Sequence, residues 1–130
     1  MAVGILLVTH LGIGTAFRAV AGRLLGTLPL AVEVFEMSYD ADPEAMLASA
    51  SAALRRADGG DGVLVLTDLY GASPANLAAR LSRLGTPVRR VSALSVPMRL
   101  RVLNYPELPL DELPAVASAG ARNGVVQDDA

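Results

Sequence analysis

The sequence predicts an open, doubly wound α/β domain: a mainly parallel four-stranded sheet with helices on both faces. Three observations carry this reading. Two short segments, Val3–Val8 and Val63–Leu66, are almost continuously apolar and rich in β-branched residues, as strands covered on both faces are. Strand-like and helix-like segments alternate in the order β-α-β-α-β-α-β-α-α, the pattern of a parallel sheet with helical layers. No linker, repeat or low-complexity tract interrupts them, and 130 residues is the length of one domain, so residues 1–130 are read as a single domain.

Each element has a local cause. The first strand ends at Thr9-His10 and the glycine pair Gly12 and Gly14. Thr15 can cap the first helix, whose apolar face is Phe17, Val20, Ala21, Leu24, Leu25 and Leu28 at helical spacing, with Pro29 ending it. Ala31–Met37 reads as a second strand, made less apolar by Glu33 and Glu36. Asp42-Pro43-Glu44 opens a helix with an N-cap, a first-turn proline and a first-turn acid. That helix runs to about Ala57, where Gly59-Gly60 stop it. Val63–Thr67 is the third strand, with Asp68 at its end. Ser73-Pro74 repeats the cap-and-proline signal and opens a helix to Leu84, with Gly85 as its stop. Val88–Leu94 is the fourth strand. Pro97 starts a short helix closed by Tyr105-Pro106, and Asp111-Glu112 opens the last one, to about Asn123, with Pro114 tolerated in its first turn.

Composition narrows the function. Hydrophobic residues make up 52% and aromatics only 4%, so the core is built from Ala, Val, Leu and Ile. The absence of Cys excludes a disulfide framework, a thiolate metal site and a Cys nucleophile. A single His excludes a multi-histidine metal site. Every basic residue is Arg, which excludes a Schiff-base lysine and a P-loop lysine. A net charge of −2 lacks the basic footprint of a nucleic-acid binder. No apolar run approaches the roughly 20 residues a membrane-spanning helix needs. The first apolar run is short and lacks a preceding basic region, unlike a signal peptide. A cytoplasmic domain without membrane insertion is the expectation.

The two most apolar strands, the first and third, should be central and adjacent. Ligands in such sheets sit beyond the carboxyl ends of the strands, at the topological switch point. That rule selects the loops Thr9–Thr15 and Asp68–Pro74. The only histidine, His10, lies in one and Asp68 in the other. A carboxylate facing one imidazole nitrogen fixes the tautomer and leaves the other nitrogen with a free lone pair, as a nucleophile or general base. Ser73 adds a hydroxyl at a helix N-terminus suited to an anion such as phosphate. This suits a phosphohistidine better than a hydrolase, because no Ser or Cys sits in nucleophile-elbow context. Each group also has a plain alternative: a strand-end polar histidine, an Asx turn at Asp68, and a simple helix start at Ser73-Pro74. The Thr9–Thr15 loop could instead hold a flavin phosphate, as flavodoxin-like folds do, although Phe17 stands where a dinucleotide fingerprint has its third glycine. Asp58-Gly59-Gly60-Asp61-Gly62 lacks the acidic spacing of a calcium loop and reads as a turn.

Along nearly its whole length the chain resembles the IIA domain of the mannose-type sugar phosphotransferase system, which serves mannose, fructose and sorbose. The residues that carry the resemblance are Val8-Thr9-His10, the run Thr67-Asp68-Leu69-Tyr70-Gly71-Ala72-Ser73-Pro74-Ala75-Asn76, Val96-Pro97-Met98, and Asp111-Glu112-Leu113 with Gly124-Val125. The resemblance implies a flavodoxin-like sheet of order 2-1-3-4, a homodimer and a phosphoryl relay. His10 would accept phosphate on Nε2 from the histidine phosphocarrier protein while Asp68 holds Nδ1–H. Gly71, Ala72 and Ser73 would cradle the phosphoryl oxygens, and the phosphate would pass to a histidine of a IIB protein. No cofactor is implied. Leu11 stands where members often have Gly, and Tyr70 where they often have Trp; neither change removes a reacting group.

Some members continue into a IIB domain, whereas this sequence ends soon after Val126, so the expected acceptor is a separate protein, or the domain is a regulatory phosphoacceptor. The related phosphotransferase subunit of a dihydroxyacetone kinase is a further reading; it would share the histidine but lack the Ser73-Pro74 run. A mean hydropathy of +0.44 also points to a homodimer. Val125-Val126 could add a short fifth edge strand, to this sheet or to a second copy's. Six Arg and no acid lie between Arg80 and Arg101, while Glu33–Asp68 is mainly acidic, an asymmetry that could steer a partner.

Overall fold

The computed structural model describes residues 2–26 and 30–128. The elements are β1 (Gly4–His10), α1 (Ile13–Leu25), β2 (Val32–Met37), α2 (Pro43–Ala57), β3 (Val63–Thr67), α3 (Ser73–Leu81), β4 (Val88–Val91), α4 (Val96–Leu103), a 3-10 turn at Leu110–Glu112 and α5 (Leu113–Asn123). The four strands form one sheet in the order β2-β1-β3-β4, every pair parallel. The α/β architecture and the strand order are those expected.

Successive strand residues face opposite sides, so one apolar run builds two cores. Ile5 and Leu7 of β1 and Leu64 and Leu66 of β3 join Met98, Val102 and Leu103 of α4 and Leu113 and Ala117 of α5. Leu6 and Val8, with Val63 and Val65, meet Ala50, Ala53 and Leu54 of α2 and Leu77, Ala78 and Leu81 of α3. Small residues allow close approach where aromatics are scarce. A Cβ on Gly4 would lie 1.8 Å from the carbonyl oxygen of Ala57, so glycine is required where β1 passes the end of α2.

Several boundaries move for identifiable reasons. Strand β4 stops at Val91 instead of Leu94, because Ala93 adopts a left-handed conformation, φ 69°, that turns the chain toward α4. Helix α3 ends at Leu81, before Leu84; Arg83 and Leu84 donate to the carbonyls three residues back, and Ser82 donates its hydroxyl to the Ala79 carbonyl. Helix α4 begins at Val96 with Ser95 as its cap. The Asp58–Gly62 segment is a turn, the Gly60 and Gly62 N–H groups donating to Asp58 Oδ1.

Two expectations need larger corrections. Of the apolar stripe read on α1, only Ala21 is fully buried, while Val20 and Leu24 are 39% and 59% exposed; Leu28 and Pro29 lie outside the described residues. Among the described residues no fifth strand joins this chain's own sheet, which has four strands, and Val125 and Val126 are exposed coil. Gly124 packs so tightly on Pro97 that a Cβ would lie 2.5 Å from that ring, which carries the chain out of α5 beside α4 rather than along the sheet. The charge asymmetry is partly tied down by exposed ion pairs, Arg80 with Glu44 and Arg89 with Asp111.

Candidate functional site

Strands β1 and β3 are central neighbours in parallel register, Val8 opposite Thr67. Strand β1 continues to His10, opposite Met37 of β2, and Asp68 follows β3 directly. The two side chains therefore leave adjacent strand tips on one edge of the sheet. Asp68 Oδ2 accepts the backbone N–H of His10 at 3.0 Å and lies 2.7 Å from its Nδ1. One carboxylate oxygen thus holds both the backbone and the ring of the same residue. A carboxylate is acceptor-only, so Nδ1 carries a proton, and in the neutral ring Nε2 then presents its lone pair. The Asp68 side chain is 10% exposed and that of His10 23%. The other oxygen, Asp68 Oδ1, is buried without a hydrogen-bond partner among the described residues, which leaves this carboxylate's charge directed chiefly at His10.

Two residues that sequence reasoning left without a role hold the His10 loop in place. Buried Thr9 accepts the Gly14 N–H on its hydroxyl oxygen at 2.9 Å and donates that hydroxyl to the His10 carbonyl. Glu36, at the end of β2, accepts the Thr15 N–H at 2.8 Å. The hydrogen bond from the Thr15 backbone, the largest effect, holds its carboxyl below the usual range against an opposing push from burial, with the Gly12 backbone adding a lesser pull in the same direction as Thr15. Thr15 is therefore not the cap of α1. Gly12, at φ 91°, occupies that position, and the helix's first N–H groups are satisfied from the two strands. Gly14 fits because a Cβ there would lie 2.7 Å from Val34 and 3.0 Å from the Thr9 hydroxyl.

The two helix N-termini beside His10 are consequently different. At α1 a carboxylate already occupies the place of an anion, which disfavours the flavin-phosphate reading of the Thr9–Thr15 loop. At α3 no acid stands in the first turn and no side chain caps it. Ala72 is the N-cap and Ser73 the first helical residue, so the helix starts one residue earlier than expected. Gly71, at φ 88°, makes the turn into the helix. The Ala72 N–H donates back to the Leu69 carbonyl, while no loop hydrogen bond uses the N–H of Gly71 or Ser73. Gly71, Ala72 and Ser73 thus share the Asp68 loop; among the described residues, no hydrogen bond links them to His10.

Exposed apolar side chains flank His10 and Asp68. Tyr39 stacks on the imidazole with ring centroids 5.7 Å apart and an interplanar angle of 23°. Leu11, Leu69 and Tyr70, which flank His10 and Asp68 in the chain, are 56%, 61% and 85% exposed. Exposed apolar groups gathered in this way mark interaction surfaces. The available signal was scarcity: the chain has only three Tyr, and two of them stand here. Among the described residues no cluster of three His, Asp or Glu could hold a metal ion. No helix is long and apolar enough to cross a membrane, again among the described residues.

Comparison with known proteins agrees with this geometry. Residues 4–106 match the family described as PTS system fructose IIA component. No protein of curated function matches the chain. Among solved structures, the mannose/sorbose-specific IIA subunit of the phosphotransferase system from Enterococcus faecalis is similar at TM-score 0.87 and 25% identity, over 100% of this chain and 97% of that one. The phosphotransferase system component EIIA from Streptococcus agalactiae is similar at TM-score 0.81 and 18% identity, over 96% of each chain. The IIA protein associated with the fucose utilization operon of Streptococcus pneumoniae is similar at TM-score 0.72 and 23% identity, over 98% of this chain and 96% of that one.

Proposed function

Because this chain belongs to the fructose/mannose IIA family of the sugar phosphotransferase system, we propose that residues 1–130 act as a phosphohistidine carrier centred on His10. The observation that carries the reading is the double grip of Asp68 on His10, which frees Nε2 and supplies a negative charge on the far side of the ring.

In the proposed reaction the Nε2 lone pair attacks the phosphorus of a phosphohistidine on the histidine phosphocarrier protein. The new N–P bond forms as the donor's N–P bond breaks, and the donor ring keeps the released electron pair. The His10 ring gains positive charge as phosphate arrives, and Asp68 offsets it without moving. The phosphoryl oxygens are met at the start of α3 by the open N–H groups of Gly71 and Ser73, which flank the N-cap Ala72, with the Ser73 hydroxyl beside them. A second transfer delivers the phosphate to a histidine on a separate IIB protein, or the phosphorylated domain itself acts as a regulatory signal. Leu11, Tyr39, Leu69 and Tyr70 give the arriving proteins an apolar rim to dock on. The domain works in the cytoplasm, as a homodimer that covers part of the apolar surface left exposed here.

The test is labelling by phosphoenolpyruvate in the presence of the general phosphotransferase proteins. Wild type should take up an acid-labile, base-stable label, as a phosphoramidate is, and His10→Ala should take up none. Labelling that persists in His10→Ala, or that survives acid, would refute the proposal.

A further inference from the structure

Arg99 is the largest fully buried side chain of the molecule, 1% exposed, and none of its three guanidinium nitrogens has a hydrogen-bond partner among the described residues. It lies on the same face of α4 as Val102 and Leu103, which are core residues. Helix α4 packs against α1 there. Arg18 stands on the stripe of α1 that includes Gly14, Ala21 and Leu25, and its charge acts on Arg99. Burial first, and the Arg18 charge second, pull the Arg99 guanidinium down to about 10 from its ordinary value of 12.5. Neither arginine is in an ion pair with a described carboxylate. Two like charges therefore act on one another across the packed helices α1 and α4, one stripped of water, with no ion-paired carboxylate among the described residues.

An apolar side chain would fill the Arg99 position at no electrostatic cost, and a buried charge is tolerable only when paired. Arginine's planar fork is built to take two oxygens of a carboxylate or phosphate at once. We propose that the α1–α4 seam binds a small oxyanion, a phosphate or a carboxylate, between Arg18 and Arg99. Arg18 is exposed and reaches the anion from the solvent side; Arg99 supplies the desolvated donors beneath it. The site shares no residue with the proposed phosphoryl site. Gly14, which abuts Thr9, precedes Arg18 by about one helical turn, and Glu36 rather than an anion occupies the α1 N-terminus between them. The proposal does not depend on phosphoryl transfer, and His10→Ala should retain it.

Thermal unfolding in sodium phosphate or sodium acetate, with ionic strength held constant by sodium chloride, tests it. The wild-type midpoint should rise saturably with the anion, as binding to the folded state requires. Arg99→Met should melt higher than wild type without added anion and lose the response. Arg18→Gln should still fold and need about tenfold more anion for half of the rise, the scale of one lost charge-assisted hydrogen bond. A response to phosphate alone assigns a phosphate ligand; a response to both assigns a general oxyanion site. Equal responses of wild type and Arg99→Met would place the anion elsewhere and overturn the proposal. So would an absent wild-type response, or an Arg99→Met protein that melts below wild type.

Discussion

Asp68 binds His10 twice through a single oxygen, at the backbone N–H and at ring Nδ1. The backbone bond fixes where the ring starts and the side-chain bond fixes how it turns. Replacing Asp68 by Asn keeps the shape but puts a neutral amide where the carboxylate stood. Phosphoryl transfer to Asp68→Asn should slow by about 10²–10³, the usual loss for one preorganised electrostatic partner. Stopped-flow or quench-flow labelling of the folded variant measures it; a rate within a few-fold of wild type would show that Asp68 is only a loop residue.

Tyr39 should contribute less, because it is 79% exposed and its stacking is screened by water. Tyr39→Ala should cost about two- to fivefold in transfer rate, the scale of an exposed ring-over-cation contact. Tyr39→Phe should keep the wild-type rate, since the ring rather than the hydroxyl faces His10. Equal losses in the two variants would assign the effect to the hydroxyl.

The exposed rim predicts a separation of docking from chemistry. Leu69→Ser with Tyr70→Ser should raise the phosphocarrier concentration needed for half-maximal labelling, with the rate at saturation and the melting temperature little changed. Both side chains lie mostly in solvent, so the folded core loses nothing. A fall in the saturating rate alone would contradict the docking role.

Glu36 predicts a pH dependence. Its carboxyl is held below the ordinary value of 4.5 in the folded protein, chiefly by the Thr15 N–H. The folded state therefore binds the proton less readily than the unfolded chain does. The stabilisation is full above the unfolded value and is lost as pH falls through the lowered folded one. Glu36→Gln should be less stable than wild type at neutral pH, and the gap should close on acidification below about 4.5. Denaturant unfolding across that range checks it, and a gap independent of pH would sink the argument.

The sheet was legible because its cause is local and strong. Val3–Val8 and Val63–Leu66 are apolar on both faces and could only be central strands. The topology rule alone brings His10 and Asp68 to one end of the sheet, where they meet. What the residues alone did not disclose were contacts that depend on register. Thr9 and Glu36 pair across β1 and β2, and only that pairing aims both at the α1 N-terminus. Thr15, a good cap by residue type, lost to them. The α1 stripe is only partly covered, because periodicity reports which residues share a face, not whether anything covers it. Val125-Val126 does not join this chain's own sheet because Gly124 fits against Pro97, a tertiary contact with no sequence period. Arg99 stands where the helical pattern asks for an apolar residue, and only the structure shows that it is buried without a partner.

The most direct test of the account asks which ring nitrogen receives the phosphate. After phosphorylation by phosphoenolpyruvate and the general phosphotransferase proteins, nitrogen-15 and phosphorus-31 NMR of the labelled protein identify the phosphorylated atom. The account predicts a single phosphohistidine at His10 with phosphorus on Nε2 and the proton retained on Nδ1 against Asp68. Phosphate on Nδ1, or on the Ser73 hydroxyl, would contradict it.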